Sequence, residues 1–294
     1  METKQIRRSY SKAGFIAIIA VVAQVVVGVS ASLLLPPTDN AYITLLLPLV
    51  LSYVISIPII WLLTRRGAAP EQMPTKYKIP AGKLCAWFLA AFGVSRLALM
   101  ITTLLQTAIA GEVVTDAVTE LQMQNPWMMF VLASVVAPIT EELIFRGFLY
   151  KVLAPYGGKY YVLVSALLFA LFHVNVSQIP FAFVLGLFFA YVMYRTGDIR
   201  LPMLLHFITN VISSISVLLL GSDIGILLTG LVVMLLIAVG VIVAIVLLVT
   251  GRVKRDVVFE PATIAPAKAG QVFINAGMIL SVLGLLAFTV LNAL

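Results

Sequence analysis

Long apolar runs, separated by short polar loops, limit what this chain can fold into. A transmembrane helix needs about 20 consecutive apolar residues, and the sequence contains nine candidate runs. They are approximately 13–35, 41–63, 82–106, 126–152, 160–175, 179–194, 201–220, 224–250 and 272–293. Charged residues make up only 11% of the chain, whereas soluble domains carry about 25%. We therefore predict an all-α fold, a polytopic transmembrane helical bundle of about eight to nine spans.

The positions of the lysines and arginines indicate how the bundle is oriented. If the N-terminus is cytoplasmic and every run crosses the membrane, all 19 basic residues except Arg96 lie at the inner side. This bias is the positive-inside pattern of membrane proteins. It predicts a cytoplasmic N-terminus, and it accounts for the net charge of +7 without a nucleic-acid partner. The first run is longer than the apolar core of a secretory signal, so we predict a retained helix.

We predict one integrated membrane domain with three parts. Residues 1–125 supply three spans and an amphipathic outer segment, Gly111–Gln124, which is either an interfacial helix or an ordinary connecting helix. Residues 126–220 form the core, and residues 221–294 add the C-terminal helices. The short fifth and sixth runs predict a tilted or partly re-entrant pair. Cys85 is the only cysteine, which excludes an intramolecular disulfide.

Two adjacent glutamates and an arginine interrupt the fourth apolar run. Ionisable side chains in a membrane segment cost at least ~2.5–3.5 kcal/mol each, so they indicate function by default. Glu142 and Arg146 are four residues apart, and we predict that they share a helix face and form an ion pair. Glu141 points about 100° away. That leaves it free, and a glutamate away from a cation in a low-dielectric site suits a general base.

A proline lies just before the acidic pair. We expect Pro138 to disturb the helical hydrogen-bond ladder and to release a carbonyl. The alternative interpretation is that both glutamates simply cap a broken helix end near the interface.

The two histidines of the chain lie in similarly apolar surroundings. His173 ends the fifth run one turn after Phe169, and His206 precedes Asn210 by four residues in the seventh run. Each feature alone suits a hydrogen-bonded core residue or a polar pair between helices. Together with Glu141 they supply a base, two imidazoles and an amide donor, as a hydrolytic site requires. Tilted or staggered helices are needed to bring them to one depth.

This pattern resembles the CPBP intramembrane protease family, also called the CAAX-protease or Abi family. Its motifs Glu-Glu-x-x-x-Arg, Phe-x-x-x-His and His-x-x-x-Asn occur here in the same order, beginning at Glu141, Phe169 and His206. The resemblance implies an intramembrane peptidase, a CAAX-type endopeptidase-like hydrolase acting on a membrane-associated protein or peptide. It also implies that Glu142 and Arg146 orient the site.

The same resemblance implies a role for each remaining motif residue. Glu141 is the general base and His173 helps to hold the attacking water. His206 and Asn210 stabilise the oxyanion, where preorganised donors have their largest effect.

A metal ion remains an alternative. Glu141, His173 and His206 are a possible zinc ligand set, and the family has been described as metalloproteases. Asn210 suits an oxyanion donor better than a zinc ligand. The carboxylate that usually orients a ligating imidazole is missing beside each histidine, unless the second glutamate serves one of them. We expect a glutamate mechanism with no cofactor and keep zinc as the alternative.

Two other functions fit the same residues. A proton-coupled transporter would use them as a relay, although it predicts inverted repeats that the sequence does not show. A non-proteolytic immunity or scaffold protein would keep the fold and bind a partner. We expect a peptidase of the bacterial plasma membrane whose partners are the lipid bilayer and a membrane-associated peptide or protein substrate. Peptide maturation, export-linked processing and self-immunity are the roles of the bacterial branch.

Overall fold

The computed structural model describes residues 2–35, 40, 42–65, 72–111, 125–218 and 223–293. Every regular element within those residues is a helix, and none is a strand. The predicted all-α class is therefore confirmed. The amphipathic segment predicted at Gly111–Gln124 lies, apart from Gly111, outside the described residues.

Each of the nine predicted apolar runs falls on a helix. The helices are α1 (Glu2–Leu34), α2 (Tyr42–Thr64), α3 (Ala81–Ala110), α4 (Pro126–Tyr156), α5 (Gly158–Phe172), α6 (Gln178–Thr196), α7 (Arg200–Leu218), α8 (Asp223–Val249), α9 (Arg252–Asp256), α10 (Ala269–Phe273) and α11 (Ala276–Ala293). Within the described residues, α1, α2, α3, α4, α6 and α8 are long and apolar enough to cross a membrane. The chain is thus a polytopic helical membrane protein.

The hairpin formed by α5 and α6 lies at the centre of the bundle. α3 packs on α6 and α8, α4 packs on α7, and α1 packs on α2 and α11. The buried core is concentrated in α4, α5 and α6. By contrast, α8 exposes most of its leucines, isoleucines and valines at the surface, as expected of a helix that faces lipid tails. The ionisable motifs therefore lie in the best-covered part of the chain.

Small residues let the outer helices approach this core closely. A Cβ on Gly93 of α3 would lie 2.6 Å from the Cα of Gly240 on α8. Membrane helices lack a hydrophobic drive to associate in lipid, so close backbone contact at small residues is a main source of their packing energy. This crossing attaches α8 to α3, which in turn supports α6.

The segment between α9 and α10, which no sequence pattern singled out, packs against the ends of α4 and α6. Tyr191 donates its hydroxyl hydrogen to the Asp256 carbonyl at 2.8 Å, and the Glu260 amide donates to the Tyr194 hydroxyl at 2.9 Å. The Ile264 amide donates to a carbonyl at the end of α4. This segment therefore fixes the ends of the helices that carry the site.

Candidate active site

The two glutamates lie on one α-helical turn of α4 that is flanked by two wider turns. Ala137–Glu142 is α-helical, whereas Leu132–Val136 before it and Leu143–Phe148 after it are π-helical. Single π turns inside α-helices are frequent at functional sites. Glu141 and Glu142 are both buried. This turn therefore carries two acids into the interior of the bundle.

Pro138 explains the first wide turn. Proline has no amide hydrogen, so in a π-helical register it leaves the carbonyl five residues earlier, that of Ala133, without its helical donor. Asn210 of α7 takes that place, since its Nδ2 donates to the Ala133 carbonyl at 2.7 Å. The disturbed ladder and the released carbonyl are confirmed. The released carbonyl also attaches α7 to α4.

Replacing Pro138 by alanine tests this arrangement. The new amide hydrogen competes with Asn210 for the Ala133 carbonyl, so we expect the hydrolytic activity that the motif resemblance implies to fall roughly tenfold through loss of an oriented donor. Thermal stability should not fall, because a proline is removed from a helix interior. Pro126→Ala is the control, since Pro126 opens the helix, where proline costs nothing. Equal activities of the two variants and the wild type would contradict the assignment.

Glu142 is held by two donors. Its Oε1 accepts hydrogen bonds from Arg146 Nη1 at 2.8 Å and from His206 Nδ1 at 3.0 Å. Arg146 also donates to the Gly186 carbonyl of α6 at 3.2 Å, and its guanidinium carbon lies 4.2 Å from the centre of the Phe169 ring. The predicted ion pair is confirmed. Glu142 is thus the second glutamate that serves one of the histidines, the alternative left open in the sequence, because α7 packs over it.

His206 lies between two rings and two carboxylates. Phe189 stacks on it at 5.3 Å between ring centroids, and Phe169 meets it edge-on at 5.6 Å. Because the Glu142 carboxylate accepts from Nδ1, that nitrogen carries the hydrogen. Nε2 faces Glu141, whose Oε2 lies 4.0 Å away. Nε2 is a donor only when the ring is protonated, so the predicted oxyanion role requires an imidazolium. In that state Glu141 has a cation 4.0 Å away, so the expectation that it lies away from a cation does not hold.

His173 follows the last residue of α5. Its Nδ1 donates to the Phe169 carbonyl at 2.8 Å, which leaves Nε2 of the neutral ring as an acceptor. The Phe169 ring meets this imidazole at 4.9 Å and so contacts both histidines. The next residue, Val174, has φ of 47°, a strained conformation for a β-branched side chain that is typical of functional sites. This turn ends the helix and fixes the position of the imidazole.

Glu141 has the least occupied carboxylate of the cluster. Its Oε2 is buried and has no hydrogen-bond partner among the described residues. His173 and Tyr53 of α2 both lie within electrostatic range of Glu141. Tyr53 is buried, and its hydroxyl accepts a hydrogen bond from Gln24 at 3.4 Å. No sequence pattern indicates Tyr53, because only the packing of α2 on α4 brings it to the site.

The alternative role of Glu141, His173 and His206 is to bind zinc. In the described part of the chain, no three histidine, cysteine, aspartate or glutamate side chains are grouped closely enough to hold a metal ion. The proposed ligands Glu141, His173 and His206 are neighbours without forming such a group. We therefore derive no step through a metal.

The structure brings the sequence-predicted residues into one cluster by different routes. Glu141, Glu142, Arg146 and His206 form a connected set of ionisable groups. His173 joins it through the Phe169 ring, while Asn210 joins through a backbone carbonyl of α4 rather than through an acid. The fold and the site together define a polytopic membrane protein with a buried glutamate–histidine centre.

Comparison with known proteins finds a family model and two relatives that are similar to this chain. Residues 123–212 match the family model described as type II CAAX prenyl endopeptidase Rce1-like. The protein named "Putative membrane peptidase YdiL" of Bacillus subtilis (strain 168) is 24% identical over 166 residues, which cover 55% of this chain and 67% of that protein. The "Membrane-embedded CAAX protease MroQ" of Staphylococcus aureus (strain USA300) is 26% identical over 169 residues, or 54% and 68% of the two chains. No solved structure matches the chain significantly.

The resemblance predicted from the three motifs is confirmed by these matches. The matched segment contains the two glutamates, the arginine, both histidines and the asparagine of the site. Residues 123–212 are therefore similar to an Rce1-like domain, in a chain with the helices of a multi-pass membrane protein.

Proposed function

We propose that this chain is an intramembrane peptidase that hydrolyses a peptide bond of a membrane-associated peptide or protein. The unequal surroundings of the two glutamates carry the proposal. Each glutamate has a buried Oε2 without a hydrogen-bond partner among the described residues. Glu142 differs in that its Oε1 is held by Arg146 and His206, whereas Glu141 Oε2 faces His206 Nε2 at 4.0 Å. Two relatives of this chain, one named a peptidase and the other a protease, support the proposal.

In this proposal Glu141 is the general base. A water held between its carboxylate and Nε2 of His173 gives a proton to Glu141 while its oxygen attacks the scissile carbonyl carbon. The His206 imidazolium and the second amide hydrogen of Asn210 donate to the oxyanion. Glu141 then passes the proton to the leaving nitrogen as the carbon–nitrogen bond breaks.

The charges of the cluster support this protonation state. Two carboxylates, one guanidinium and one imidazolium sum to zero. A buried set of charges is tolerated when the charges are paired and hydrogen-bonded. Glu142, Arg146 and His206 are paired and hydrogen-bonded with one another. Glu141, the fourth group, faces His206 at 4.0 Å.

We propose that the reaction needs no metal ion. Incubation of the purified protein with a zinc chelator is expected to leave its cleavage rate unchanged, because the nucleophile is a water activated by Glu141 rather than a metal-bound hydroxide. Elemental analysis of the same sample checks the zinc content. Inactivation by chelation that zinc reverses would contradict this part of the proposal.

We further propose that the N-terminus is cytoplasmic, that the site opens to the cytoplasmic half and that the membrane is the bacterial plasma membrane. Cys85 is exposed in the first turns of α3, at the end that this orientation places inside. A membrane-impermeant maleimide is expected to label Cys85 in inverted vesicles and not in intact cells. Labelling of intact cells would contradict the orientation.

Membrane and secreted peptides from cells carrying the wild type or Glu141→Gln test the function itself. We expect a set of peptides to lose its mature form in the variant, because the base is missing. Glu260→Gln is the matched control, since it makes the same chemical change at a carboxylate that pairs with Arg195 away from the site. Identical peptide profiles in all three strains would contradict the proposal.

A further inference from the structure

Arg96 is a second arginine inside the bundle, at the middle of α3. Its guanidinium carbon lies 5.0 Å from the ring centre of Phe92 and 4.7 Å from that of Phe181. Its Nη2 donates to the Thr209 carbonyl at 3.5 Å and to the Ser213 hydroxyl. Its Nε is buried without an acceptor among the described residues. The side chain is thus held in place by aromatic faces and by α7.

The charge of Arg96 has no counterpart in the described part of the chain. No carboxylate oxygen there lies within 4.0 Å of a guanidinium nitrogen of Arg96. By contrast, Arg146 Nη1 lies 2.8 Å from Glu142 Oε1. An uncompensated guanidinium inside a membrane segment is costly, and such residues mark substrate or ion sites. Guanidinium groups bind carboxylates through paired hydrogen bonds. Arg96 therefore suits an anion that none of the described residues supplies.

The position of Arg96 relates it to the site. Ser213 lies seven residues after His206 on α7, which is about 10.5 Å along the helix and on nearly the same face. Phe181 lies eight residues before Phe189, the ring that stacks on His206, which is about 12 Å along α6. With Thr209 only three residues after His206, the two helices place the contacts of Arg96 roughly 5–12 Å from His206 along their axes. An extended peptide covers that distance in about three residues.

We infer that Arg96 binds a carboxylate of the peptide substrate, two to four residues from the bond that is cleaved. This inference rests on the proposed peptidase function. The carboxylate is either the substrate's C-terminal group or an aspartate or glutamate side chain. Arg96 acts in recognition, so its loss affects KM more than kcat.

Peptides that differ only in this carboxylate test the inference. A substrate cleaved by the wild-type protein in proteoliposomes is compared with its C-terminal amide and with its Asp→Asn and Glu→Gln forms. We expect one of these neutral forms to be cleaved on the order of 10- to 100-fold less efficiently, mainly through KM, as for loss of one charged hydrogen bond. The form that loses efficiency identifies the source of the carboxylate.

The same ratios in Arg96→Gln and Arg96→Lys separate recognition from a structural role. We expect Arg96→Gln to cleave acid and neutral peptides equally, and Arg96→Lys to keep part of the preference. Arg195→Gln, which removes an arginine at the end of α6, should keep all of it. A merely structural role would lower cleavage of every peptide by one factor.

Two results would overturn the inference. One is a wild type that cleaves acid and neutral peptides equally. This comparison uses only the wild-type protein, so it does not depend on whether a variant folds. The other is an Arg96→Gln protein that keeps the wild-type preference. Cleavage that depends on Glu141 but not on the carboxylate leaves the peptidase function standing. Absence of any cleavage by the wild type would contradict both.

Discussion

Replacing Glu141 by glutamine is expected to reduce kcat/KM for peptide cleavage roughly 10²- to 10⁴-fold, the contribution of a positioned general base. Glutamine has the same shape and can still hold a water, but it cannot accept a proton. The fall should appear mainly in kcat, because the side chain acts on the water rather than on the peptide. Steady-state cleavage by the purified protein in proteoliposomes provides the measurement.

A matched control keeps this result specific. Glu260→Gln should cleave at the wild-type rate, and thermal unfolding in detergent should show that Glu141→Gln is folded at the assay temperature. Glutamine breaks no hydrogen bond of Glu141 Oε2 to the described residues, although it removes one negative charge from the buried cluster. If Glu141→Gln cleaves nearly as fast as the wild type, Glu141 is not the base.

The largest effect on stability is expected for Arg146→Met. Arg146 and Glu142 have no exposed side-chain surface, so methionine leaves a carboxylate buried with only His206 beside it. Breaking a buried ion pair by removing one partner costs about 3–5 kcal/mol. Reversible unfolding in mixed micelles measures the free energy of unfolding.

The double variant Glu142→Gln, Arg146→Met separates the lost pair from the lost packing. Glutamine removes the uncompensated charge, so the double variant is expected to recover part of the stability that Arg146→Met loses. A single variant as stable as the wild type, or a double variant less stable than the single one, would contradict the assigned pairing.

Periodicity and spacing were sufficient to predict the fold and one contact of the site. Apolar runs of membrane-spanning length predicted every long helix of the described residues, because in lipid the backbone must satisfy its own hydrogen bonds. The four-residue spacing of Glu142 and Arg146 placed them on one face, and they pair at 2.8 Å. Pro138 indicated a disturbed ladder because its missing amide hydrogen is a local property. All three predictions depend on neighbours in sequence.

The contacts between distant helices could not be predicted in this way. Nothing in the spacing of His206 indicates that its Nδ1 meets Glu142, because that contact depends on how α7 crosses α4. The bond from Asn210 to the Ala133 carbonyl depends on the same crossing. Tyr53 reaches Glu141 only because α2 packs there, and tyrosines in apolar runs carry no distinguishing pattern.

Peptide hydrolysis by the purified, reconstituted protein in water labelled with heavy oxygen tests the central claim most directly. Mass spectrometry follows both products of a single membrane peptide. We expect two new ends from the wild type, with one heavy oxygen atom in the new carboxylate, and product formation by Glu141→Gln that is slower by roughly 10²-fold or more. No cleavage of any membrane peptide by the wild type, or equal cleavage by Glu141→Gln, would contradict it.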